Sequence, residues 1–94
     1  MKYKALYSKM MDDLKDGEMF LGWGKELMNE SPEVGKYLIS QAEYRILSSF
    51  PETKKMFDEI CEKDEEISGK CVANMVEDYL CEWHDNLERK VKKI

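Results

Sequence analysis

From Val72 to Val91 the apolar residues Val72, Met75, Val76, Tyr79, Leu80, Trp83, Leu87 and Val91 return every three or four positions. Only an α-helix gathers residues of that period on one face. The stripe predicts a final helix from Lys70 to Lys93, roughly 36 Å long at 1.5 Å per residue. Lys90, Lys92 and Lys93 complement its C-terminal dipole. Such a stripe needs apolar partners, and the chain supplies them in the same period. Tyr3, Leu6, Tyr7, Met10, Met11 and Leu14 line one face of a first helix. Lys4, Lys9, Asp12, Asp13 and Lys15 lie mostly off that face, and Gly17 is the expected C-terminal cap.

Residues 18–30 read as a short helix carrying Met19, Phe20, Trp23 and Leu27, irregular where Gly22 and Gly24 flank Trp23. Ser31-Pro32-Glu33 is a start signal: Ser31 to cap, Pro32 at the first helical position, Glu33 on the dipole. Leu38, Ile39, Ala42 and Ile46 follow on one face. Phe50, standing before Pro51, is expected to leave helical angles and break the chain. Pro51 then restarts a helix that turns Met56, Phe57, Ile60 and Cys61 inward; Ser68-Gly69 either ends it or lies inside a longer one.

With five glycines and two prolines, the chain lacks the turns an all-β fold needs. Its 94 residues form one domain, 1–94, too short for a (β/α)₈ barrel or a doubly wound dinucleotide fold. The expected fold is all-α: a compact bundle of four or five helices with a long C-terminal amphipathic helix. At a radius of gyration of about 12 Å, that last helix spans the molecule or overhangs it.

The charge is uneven. Residues 1–51 carry eight acids and seven bases, residues 52–88 twelve acids and four lysines, and the last six residues four bases, for a net −5. An acidic body repels phosphate, which argues against direct nucleic-acid binding and for a basic partner surface. Three cysteines cannot all pair within the chain, and no signal segment or 18-residue apolar run is present. The expected setting is reducing and cytoplasmic, away from the membrane.

Sites of chemistry are argued against one by one. Cys61, Cys71, Cys81 and His84 match the ligand count of a Cys₃His zinc site. On one helix, however, Cys71 and Cys81 stand roughly 15 Å apart; only Cys81 and His84 are close enough to share an ion, so no metal is expected. A di-iron carboxylate site needs paired Glu-x-x-His motifs, and this chain has one histidine, preceded at that spacing by Cys81. A Cys81–His84 nucleophile pair lacks oxyanion donors. Glu65 and Glu66 read as a solvated face rather than an acid–base pair, and Gly22-Trp23-Gly24 lacks the lysine of a phosphate loop. No catalytic residue and no cofactor is expected.

Two features remain. Asp58, Glu62 and Glu65 fall at i, i+4 and i+7, and Asp78, Glu82 and Asp85 repeat that spacing. Like charges so placed oppose the helix by a few tenths of a kcal/mol each, and two adjacent stripes approach the charge density of a nucleic-acid strand. Ten aromatics and seven methionines also exceed what a small core needs. Trp23, and beside it Phe20, Tyr79 and Trp83, are candidate contacts. The sequence thus points to a non-enzymatic protein–protein interaction module. Such an acidic inhibitor or adaptor would dock Asp58, Glu62, Glu65, Asp78, Glu82, Asp85 and Trp23 on a partner's basic surface. A nucleic-acid-handling protein is such a partner, by analogy with small phage-type inhibitors. The alternatives are a homodimer or larger homo-oligomer built through the long helix, and a bundle that binds a small ligand or metal.

Overall fold

Met10, Leu14, Gly17, Leu21 and Gly24 are all buried, and their spacing alternates four and three. Gly35, Ile39, Ala42, Ile46 and Ser49 repeat the same alternation and are buried too. These two seams face each other in the computed structural model, which describes residues 2–63 and 70–93 and is helical throughout its regular elements. Helix α1 runs from Lys2 to Leu27, α2 from Pro32 to Glu43, α3 from Phe50 to Lys63 and α4 from Lys70 to Lys92. Residues Tyr44–Ser49, between α2 and α3, form a π-helical segment. Among the described residues the helices therefore make three rods, where four or five helices were expected.

The break expected before Pro32 is present, but those expected at Gly17 and at Phe50 are absent, for identifiable reasons. Gly17 and Gly24 do not end or loosen α1; they let the second rod approach it. A Cβ on Gly17 would stand 2.7 Å from Ile46 Cγ1, and one on Gly24 2.6 Å from Ile39 Cγ1 and 3.0 Å from the Gly35 carbonyl oxygen. Isoleucine side chains thus fill the notches that the missing side chains leave, and this fixes the register of the hairpin. Phe50 keeps helical angles, φ −60° and ψ −51°. The wider π turn ahead of Pro51 carries the rod across a proline that an α-helix accommodates poorly.

At the connection, Ser31 N–H donates to Leu27 O at 2.7 Å, and Ser31 O accepts from Gly35 N–H at 2.9 Å. Pro32 and Glu33 hold the first-turn places expected of them, but the Ser31 side chain makes no capping bond. Residue pairs fix the direction of each rod. Lys9 meets Thr53, Asp13 meets Ser49, and Asp16 meets Arg45, so the second rod runs antiparallel to α1. Lys54 meets Glu77 and His84 meets Ile46, so α4 runs back alongside both.

The core joins Met10, Leu14, Leu21, Ala42, Ile46, Phe50, Phe57, Leu80, Leu87 and Val91. The π segment adds one residue to the rod at this level, and both Ser49 and Phe50 point inward. Ser49 Oγ donates to Asp13 Oδ2 at 2.8 Å, satisfying a carboxylate the sequence placed off the buried face. Met56, expected inside, is exposed. The rods lie along one axis, giving extents of 52 × 19 × 15 Å and a radius of gyration of 15.2 Å, above the expected 12 Å. No helix among the described residues is long and apolar enough to cross a membrane.

Gly22 differs from its neighbours. It is exposed, and a Cβ there meets nothing within 4 Å. Gly22→Ala is expected to stabilise the fold by about 0.5–1 kcal/mol through helix propensity alone. Thermal denaturation of the single variant checks this; an unchanged or lower midpoint contradicts it.

Candidate functional site

Two arrangements on α4 bring chemistry-bearing groups together. The first is a groove between α1 and α4. Trp83 packs its ring against the core while its Nε1–H donates to Glu18 Oε2 at 2.7 Å. Tyr79, one turn earlier and 62% exposed, lies with its ring centroid 6.3 Å from that of Trp83. Glu18, Tyr79, Glu82, Trp83 and Asn86 line the depression, which has a volume of about 390 Å³. Aromatic faces flanked by carboxylates are a receptor for cations, guanidinium above all.

The chain already uses this chemistry once internally. Arg45 Cζ sits 4.6 Å above the Phe20 ring centroid, with its Nε 4.0 Å from Asp16 Oδ2. Trp23 meets Phe20 edge to face at 6.2 Å and remains 49% exposed.

The second arrangement surrounds the chain's one histidine. Ile46 lies in the π segment, where its carbonyl loses both backbone donors. The Phe50 N–H, which would reach it in an α-helix, donates to Arg45 O instead. Its partner in a continued π-helix is residue 51, a proline without an N–H. His84 takes the vacant role: its Nε2–H donates to Ile46 O at 2.7 Å. The imidazole stacks on Phe50 at 4.5 Å and 10°, leaving its side chain 12% exposed. This bond sets the tautomer and turns Nδ1 outward. Nδ1 then faces Asp85 Oδ1 and Glu88 Oε2, each at 3.7 Å. The other Glu88 oxygen, Oε1, pairs with Lys92 Nζ at 2.7 Å, and that bond holds the Glu88 carboxyl below its usual range.

The residues singled out in the sequence are dispersed. Asp58 is engaged within the fold: Lys54 Nζ lies 3.0 Å from its Oδ2 and 3.4 Å from Glu77 Oε1. Burial opposes the Asp58 charge, but hydrogen bonds from Glu77 and Lys54 outweigh it and hold the carboxyl low. Its partner Glu77 is raised by the same hydrogen bond and by burial. Asp78, Glu82 and Asp85 are exposed on α4, but Glu82 lines the groove while Asp85 faces His84. The Glu62 side chain and all of Glu65 lie outside the described residues, as do the Cys61 and Cys71 side chains and Ser68-Gly69. Burial raises the Cys81 thiol above its usual value.

Glu18, Glu88 and the inward role of His84 escaped the sequence reading. His84 follows Leu80 by four and precedes Leu87 by three, so it shares their buried face. That spacing, together with a proline five residues beyond Ile46, is the signal that was available. Among known proteins, no family model matches the chain, nor does any curated protein or any solved structure.

Proposed function

We propose that this chain is a non-enzymatic docking protein whose acidic, aromatic groove between α1 and α4 takes a basic segment of another protein. One observation carries the reading: Tyr79 and Trp83 present rings between the carboxylates of Glu18 and Glu82 at one open depression. An arginine laid on Trp83 would meet an aromatic face and a carboxylate at once, as Arg45 meets Phe20 and Asp16 inside the fold. Trp23, five residues on from Glu18 and thus about 140° around α1, offers a separate exposed apolar contact on another face of that helix. The net charge of −5, with Asp78 and Asp85 also on α4, steers basic surfaces toward the molecule. Inhibiting or adapting a nucleic-acid-handling protein is the role such a surface fits.

The test uses an arginine–glycine octapeptide, followed by the Trp83 indole resonance in NMR. The expected result is saturable movement of that resonance, weakening with salt, and at least a tenfold loss of affinity in Glu18→Gln/Glu82→Gln, about 1.4 kcal/mol. An unmoved indole, or equal movement with a glutamate–glycine octapeptide, would sink the assignment.

Self-association is the second reading, favoured by exposed Val34, Tyr37, Tyr44 and Leu47 on the middle rod. It would not use the apolar stripe of α4 first expected to pair, because Leu80, Leu87 and Val91 are buried in the bundle's own core.

A further inference from the structure

The geometry points to a divalent transition-metal site of the zinc class on α4, ligated by His84 Nδ1, Asp85 and Glu88 and independent of the docking groove. Three observations carry it. First, the three side chains offer one imidazole nitrogen and two carboxylate oxygens, all within 4.8 Å of one another. Second, the Nδ1–oxygen separations are both 3.7 Å. That is too long for a hydrogen bond. It is close to the edge of a tetrahedron about a metal with bonds near 2.1 Å, roughly 3.4 Å. Small side-chain rotations would close the difference.

Third, the far side of the imidazole is already built as a metal-binding histidine requires. Ligating histidines donate the second ring N–H to a carbonyl or carboxylate, which fixes the tautomer and aims the free lone pair. Here the partner is Ile46 O, at 2.7 Å. It is available because Phe50 N–H is committed to Arg45 O and Pro51 has no N–H. Stacking on Phe50 holds the ring plane. The lone pair is thus aimed by an element that the neighbouring carboxylates had no part in shaping.

His84 and Glu88 stand at i and i+4 on one helix face, a chelating spacing. Glu88 divides its oxygens, Oε2 toward Nδ1 and Oε1 toward Lys92. Lys92 therefore competes with a cation for the same carboxylate. Mixed imidazole and carboxylate donors suit zinc, nickel or copper better than magnesium or calcium, which prefer oxygen alone. Three protein ligands leave the fourth position to water. Cys81 is not in this group, although the sequence placed it as the only residue near enough to share an ion with His84.

The test follows the His84 ring by NMR during titration of the purified chain with zinc chloride. Because the chain has one histidine, its ring signals report this site alone, even if zinc also meets the thiols. The expected result is a stoichiometric shift of the His84 signals with Nε2 still protonated, and a higher melting temperature in zinc. Glu88→Gln should weaken the affinity at least tenfold, and Lys92→Gln should strengthen it several-fold. Neither side chain is buried, Glu88 being 31% and Lys92 65% exposed, so the variants fold. Cys81→Ser should leave the response intact. The site is ruled out if His84 is unmoved at one equivalent of zinc, or if Glu88→Gln binds as tightly. It is equally ruled out if Nδ1 is protonated and unresponsive to zinc, the mark of a plain ion pair.

Discussion

His84→Ala is expected to lower stability by about 2–4 kcal/mol, and Pro51→Ala is expected to restore part of the loss. The substitution removes two things at once. Ile46 O, held at 2.7 Å by the imidazole, is left as a buried acceptor without a donor, which costs about 1–3 kcal/mol. The ring stacked on Phe50 disappears, leaving space beside a fully buried phenyl and forfeiting a contact of about 0.5–1.5 kcal/mol. Each kcal/mol lowers the melting temperature of a domain this size by roughly 4–8 °C, so a fall of roughly 8–30 °C follows.

The cause separates in two further variants. His84→Phe keeps a ring on Phe50 but cannot donate, and should lose the carbonyl component alone. Pro51→Ala returns an N–H to the rod, so Ile46 O no longer depends on the imidazole in that background. The double-mutant cycle should therefore show a coupling of about 1–2 kcal/mol between two residues on different helices. Strict additivity of His84→Ala and Pro51→Ala in urea denaturation would contradict the account of the π segment.

The helical class and most of the core were legible because periodicity reports directly on which face is buried. Met10, Leu14, Ile39, Ala42, Ile46, Phe57, Leu80 and Leu87 all lie where the spacing puts them. The breaks were misread because glycine and proline carry two physical meanings. As isolated residues, Gly17 and Gly24 loosen a helix; opposite Ile46 and Ile39 they permit close packing, and only the partner decides. Pro51 forbids an α-helical hydrogen bond, but a π turn with a donor from another helix removes the objection. That donor is 33 positions away in sequence, beyond the reach of any local rule.

The site was less legible for the same reason. Asp78, Glu82 and Asp85 share a spacing, yet neighbouring elements give them different work: Glu82 with Glu18 from α1, Asp85 beside a ring anchored on the middle rod. A stripe on one helix says nothing about the acids and aromatics that another helix brings alongside. Glu18, unremarkable in the sequence, became visible only through the Trp83 indole.

The glycine seam supplies the other large effect. Gly24→Ala and Gly35→Ala are each expected to destabilise the protein by about 1–3 kcal/mol, although alanine is the better helix former by about 1 kcal/mol. The sign is decided by what the new methyl meets. At Gly24 it meets Ile39 Cγ1 at 2.6 Å, Gly35 O at 3.0 Å and Ile39 N at 3.1 Å; at Gly35 it meets Gly24 O, Met28 N and Met28 Sδ, each at 2.9 Å. Backbone atoms on both sides cannot rotate away, so the rods must separate and loosen the core contacts that follow along the seam. Gly17 should respond less, because its close neighbours are side-chain atoms of Ile46 at 2.7 and 3.0 Å, which can repack. The two larger effects should not add. Gly24 and Gly35 face each other, and the first methyl to push the rods apart makes room for the second. Melting of the four single variants and the Gly24→Ala/Gly35→Ala double variant gives the ordering: both seam variants below wild type, Gly17→Ala between, Gly22→Ala above. If Gly24→Ala proves as stable as Gly22→Ala, the close approach of the first two rods is wrong, and with it the register that brings Asp13 to Ser49 and Asp16 to Arg45.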